Sequence, residues 1–73
     1  MTNTTLFVLG ALRDICPGDW QVVTEEGREV FRLGDERLTV ARKMSGWPIG
    51  MSPGLRAAHP EIADKLRRAL GPA

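Results

Sequence analysis

Residues 20–43 read Trp20-Gln21-Val22-Val23-Thr24-Glu25-Glu26-Gly27-Arg28-Glu29-Val30-Phe31-Arg32-Leu33-Gly34-Asp35-Glu36-Arg37-Leu38-Thr39-Val40-Ala41-Arg42-Lys43. Apolar residues recur at alternate positions, and turn chemistry interrupts them twice. Trp20 and Val22 alternate before Glu25-Glu26-Gly27-Arg28 turns the chain, and Phe31 and Leu33 alternate before Gly34-Asp35-Glu36 turns it again. Leu38 and Val40 follow, with Thr39, Ala41 and Lys43 on the opposite side. Successive side chains of a strand point to opposite faces, so the pattern predicts a three-stranded antiparallel meander with one apolar face. That face has to be covered. A three-stranded sheet under a helical layer is the smallest α+β unit that covers it.

The flanks supply the cover. Between Thr4 and Cys16, the residues Leu6, Leu9, Leu12 and Ile15 or Cys16 are spaced by three and four, as on one face of a helix. Asn3, Thr4 or Thr5 suits its start and Pro17-Gly18 its end. Gly10 and the β-branched Val8 leave a strand over Thr5 to Leu9 as the other reading. The C-terminal segment carries stronger helix signals over 60–70. Pro60 stands in the first turn, Glu61 and Asp64 lie early, Lys65, Arg67 and Arg68 lie late, and Gly71-Pro72 closes it. Ile62, Leu66, Ala69 and Leu70 form its apolar stripe, with Glu61–Lys65 and Asp64–Arg68 spaced as favourable pairs. The chain is therefore expected to form one α+β domain over 1–73, a meander packed with an N-terminal and a C-terminal helix.

Residues 44–54, Met44-Ser45-Gly46-Trp47-Pro48-Ile49-Gly50-Met51-Ser52-Pro53-Gly54, hold three glycines and two prolines and are expected to form a loop. Ser52-Pro53 can open a short turn through Ala57. The loop is unusually apolar. Trp47, Ile49, Met44 and Met51 seek burial either within the domain, where Trp47 would act as a lid on the sheet, or against a partner.

A chain of 73 residues buries a modest core, and small domains of this kind commonly gain stability from disulfides or metals. Here Cys16 is the only cysteine and His59 the only histidine. An internal disulfide is thereby excluded, and neither a zinc site nor another metal site is expected. Cys16, beside Pro17, reads as a small buried hydrophobe at a helix end. No basic residue precedes the apolar run Leu6-Phe7-Val8-Leu9, which is also too short to span a membrane, so a cytoplasmic protein is expected.

The net charge of +1 conceals an uneven distribution. Residues 1–36 carry three arginines against seven acids, whereas residues 37–60 carry Arg37, Arg42, Lys43 and Arg56 and no acid. Such asymmetry marks a face for nucleic acid or an acidic protein, unless pairing of adjacent strands intermixes the blocks. No catalytic set is legible. His59 sits before a proline as a turn residue would, the glycines at 46, 50 and 54 lack a phosphate loop's Lys and Ser/Thr, and the paired carboxylates fall in expected turns. Neither an enzyme nor a cofactor is expected.

Binding remains. The residues most suited to hold a partner are Trp47, Ile49 and Met51 as apolar anchors, with Arg37, Arg42 and Lys43 around them. Three classes fit: a regulator docked on a large protein complex, a small nucleic-acid module stacking Trp47 on a base, or a subunit whose apolar loop is buried between copies. A pI near 8.0 and the absence of tyrosine weigh against the second. In its length, unpaired Cys16, acidic first half and Trp47-Pro48 loop, the chain resembles the small bacteriophage-encoded regulators that bind host bacterial RNA polymerase. That resemblance implies a non-enzymatic protein of the host cytoplasm, monomeric when free. It would bind the polymerase and inhibit transcription initiation, with suppression of termination as a further implied activity. It assigns no binding residue, and direct contact with nucleic acid stays open.

Overall fold

The computed structural model describes residues 2–72. In chain order they form helix α1 (Asn3–Ile15), strands β1 (Trp20–Glu25), β2 (Arg28–Leu33), β3 (Glu36–Val40) and β4 (Ile49–Met51), and helices α2 (Pro53–Ala58) and α3 (Ile62–Leu70). The strands make one antiparallel sheet in the order β1-β2-β3-β4, with the N- and C-terminal helices packed on it. The fold is α+β as expected, but the sheet has four strands where the sequence suggested three.

The first two turns follow from their central residues. Glu25 pairs with Arg28, so Glu26-Gly27 is a two-residue loop, and both residues have positive φ (53° and 76°) as a type I′ turn requires. The next loop, Gly34-Asp35, has only its first residue at positive φ (62°), the requirement of a II′ turn. The fourth strand lies inside the stretch 44–54 that was expected to be a loop. Its pairing sets Leu38 against Met51, Thr39 against Gly50 and Val40 against Ile49. The same register runs on to the tip. Ala41 N donates to Pro48 O at 3.0 Å, and Lys43 and Gly46 exchange bonds of 2.9 and 3.1 Å. Pro48 has no N–H to return to Ala41, so the ladder is interrupted there although the hairpin continues to the Lys43–Gly46 bridge.

Core residues come from one sheet face and the helices. Trp20, Phe31 and Leu38 meet Val8, Leu9, Leu12, Cys16, Leu55, Ile62 and Leu66, with Ile49 and Met51 packed against them. Trp20 is buried and its Nε1 donates to the Cys16 carbonyl at 2.7 Å, so the ring's one polar group is satisfied. Residues 3–15 are helix, which excludes a strand over Thr5 to Leu9. Two details differ from expectation. The cap is Thr2, whose Oγ1 accepts from Thr5 N at 3.1 Å, and the buried stripe is Thr5, Val8, Leu9 and Leu12, turned so that Leu6 faces out. α3 begins at Ile62 rather than 60. Asp64 pairs with Arg67 at 3.6 Å instead of Arg68, and Glu61 lies 3.6 Å from His59 Nδ1.

The turn foreseen at Ser52-Pro53 is the helix α2, held by a carboxylate from β3. Glu36 Oε2 accepts from Leu55 N at 2.9 Å and from Ser52 Oγ, while Ser52 Oγ accepts from Arg37 N at 2.9 Å. The N-terminal amide of α2 is thus satisfied by a strand residue. Gly54 is required beside it, because a Cβ there would overlap the pinned carboxylate of Glu36. No helix among the described residues is long and apolar enough to cross a membrane.

Candidate partner-binding site

The β3–β4 hairpin builds the most distinctive surface. Its uniform register places Trp47 directly across from Arg42, and the guanidinium lies over the indole with its carbon 5.6 Å from the ring centroid. Alternation along the strand puts Trp47 on the helix-facing side of the sheet. There Trp47 Nε1 donates to Gly71 O at 2.9 Å and Arg67 Nε donates to Trp47 O at 3.0 Å. Trp47 is half-buried. It therefore closes the end of the domain as a lid and still offers part of its ring to the outside.

Beyond this pair the hairpin tip carries Lys43 and Met44. The Met44 side chain is fully exposed, at 103% of its reference area, so it contributes nothing to the core. Arg42, Lys43 and Arg67 lie around the tip and Arg28 lies nearby. Beneath the hairpin, between the N-terminal turn of α1 and the ends of β2 and β3, is a recess of about 570 Å³. Its floor is Val8, Phe31 and Val40, and its walls include Arg42, Trp47 and Glu29, whose Oε2 is buried with no hydrogen-bond partner. An apolar floor, a half-open indole and a rim of arginines form a surface able to take an acidic or amphipathic segment of another molecule.

Of the six residues selected from sequence, Trp47, Arg42 and Lys43 are brought together at this end. Ile49 and Met51 are β4 residues packed against the core, so they support the hairpin from behind. Arg37 is elsewhere. It projects from the sheet face away from the helices and pairs with Glu25 at 3.2 Å. This pair reaches diagonally across β2 over Val30, which is buried although it lies on that outer face. Met44, Arg67, Arg28 and Glu29 join the site without having been selected. Met44 had a legible signal as an apolar residue in a Gly/Pro-rich stretch, whereas Arg67 looked like an ordinary helix-terminal cation. Arg28 and Glu29 reach the site only through the turn at Glu26-Gly27.

Cys16 is buried at the C-cap of α1, and among the described residues no group of three or more His, Cys, Asp and Glu side chains is placed to hold a metal ion. In comparisons with family models, curated proteins and solved structures, the chain matches none.

Proposed function

We propose that this chain is a non-enzymatic regulator that docks through its hairpin end on a large bacterial protein complex, host RNA polymerase, and blocks transcription initiation. The observation that carries the docking is Met44 at the tip of a structured hairpin. Met44 lines one hollow with the half-open indole of Trp47 and with Arg67, so the two apolar groups offer a joint contact surface to a partner. Arg42, Lys43 and Arg67 add a positive rim suited to an acidic protein surface, which raises association rates and selects among partners. The choice of polymerase rests on the resemblance of the chain to phage regulators of that enzyme. Suppression of termination belongs to the same proposal.

The test is promoter-dependent run-off transcription with purified bacterial RNA polymerase, alongside direct titration of the enzyme by wild-type protein and the M44E and K43E variants. Wild type is expected to reduce initiation and bind the enzyme, and the two variants to bind about tenfold more weakly at unchanged fold. Normal transcription at saturating protein would overturn the polymerase reading. Binding to single-stranded DNA of comparable strength would move the same surface to a nucleic-acid role, with Trp47 stacking on bases.

A further inference from the structure

The fold leaves a second surface that the hairpin reading does not use. Because α1 turns Thr5, Val8, Leu9 and Leu12 inward, Leu6 and Phe7 project outward, each 52% exposed. Together with Ile15 and Ala69 they line a groove of about 440 Å³ on the outer side of the α1 and α3 layer. Gly10 lies in the middle of it, and apart from its own stretch of helix nothing stands within 4 Å of where its Cβ would be, so a neighbouring backbone can come close. Asp14 and Lys65 line the same groove, and neither has an ion-pair partner among the described residues.

We propose that this groove is the interface of a homodimer, with the α1 and α3 layers of two copies meeting face to face about a two-fold axis. The charges select the occupant. An apolar surface with one unpaired acid and one unpaired base is complementary to itself under two-fold rotation, Asp14 of each copy answering Lys65 of the other. A uniformly acidic or basic surface would satisfy one of these groups and repel the other. Size sets the strength. The 13 residues of α1 span about 20 Å, and two helices side by side are about 20 Å wide. Such a face falls at or below the roughly 600 Å² per partner of weak, reversible complexes. A dimer that forms at high concentration and dissociates on dilution is the consequence. The groove shares no lining residue with the hairpin site, so this inference stands or falls independently of the polymerase reading.

Sedimentation velocity of the full chain from about 10 to about 500 µM tests it, that range bracketing the affinity expected of so small a face. Wild type is expected to shift from monomer to dimer across the range. F7E is expected to abolish the shift while its circular dichroism and thermal midpoint stay those of wild type. Asp14→Lys and Lys65→Glu, each alone, should raise the dissociation constant about tenfold or more by placing like charges across the axis. Mixing these two variants should restore association, because each then faces its opposite, a result that no effect within a single chain can produce. A monomer throughout the range, a dimer indifferent to F7E, or a mixture that stays monomeric would each overturn the proposal.

Discussion

Met44 and Trp47 stand three residues apart in the same hairpin, yet one is free of the domain and the other is bound into it. Met44 has no packing to lose, so M44E is expected to leave the unfolding midpoint unchanged while weakening partner binding, which denaturant titration and binding titration read separately. Truncating Trp47 to alanine removes its Nε1 bond to Gly71 O and its half-buried ring, so it confounds stability with binding, although the bond from Arg67 to the Trp47 backbone carbonyl would remain. W47F keeps an aromatic ring beside Arg42 but loses both the indole N–H bond to Gly71 and the half-buried area of the second ring, and should cost about 1 to 2 kcal/mol of stability. At the first turn, Glu26 holds a left-handed conformation that a glutamate side chain disfavours. Asparagine tolerates that conformation and forms the preferred type I′ pair with Gly27, so E26N should raise stability by roughly 0.5 to 1 kcal/mol in urea unfolding. A midpoint that falls would mean that the Glu26 side chain makes a contact worth more than its backbone strain.

The elements differ in how far their residues announce them. β1, β2 and β3 were legible because two-residue turns with glycine at the required positive φ punctuate a period-two pattern, and both signals are local. β4 was not legible. Gly46, Pro48 and Gly50 are poor strand formers, and they pair only because β3 presents its open edge and Ala41 accepts the loss of one hydrogen bond at Pro48. The rotation of α1 escaped the sequence for a different reason. Leu6 and Phe7 look like core residues, while the burial of Thr5 depends on where Thr2 starts the helix. The capping of α2 by Glu36, 19 positions before Leu55, is likewise a tertiary arrangement that no local motif encodes. E36A should release the first turn of α2 and leave Ser52 Oγ and Leu55 N without their acceptor, costing about 1 to 2 kcal/mol. Amide exchange of Leu55 and Arg56 should accelerate more than that of β1, and equal acceleration throughout would indicate global destabilisation instead.

For the molecule as a whole, the two charge blocks of the sequence are partly intermixed and partly separated. Arg37 meets Glu25 across the outer sheet face, as strand pairing would have it, whereas the hairpin carries Arg42 and Lys43 to one end, where they join Arg67 and share the recess with a single acid of the first block, Glu29. The candidate site was thus half legible. Trp47, Arg42 and Lys43 could be chosen from composition, but the separation of Arg37 from them requires knowing that Arg37 and Arg42, five positions apart, fall on opposite faces of a strand. R37A is accordingly expected to uncover Val30 at a cost of no more than about 1 kcal/mol and to leave partner binding intact. Arg42→Glu should slow association, in a manner that rising salt progressively masks.

Docking through the hairpin end is the proposal on which the function rests. Amide spectra of isotopically labelled protein, recorded while purified bacterial RNA polymerase is added in substoichiometric steps, examine it residue by residue. Resonances of Arg42, Lys43, Met44, Trp47 and Arg67 are expected to shift or broaden first, with the outer sheet face around Arg37 and Val30 changing least. Unchanged spectra at equimolar enzyme, or a response centred on that outer face while the hairpin stays silent, would contradict it.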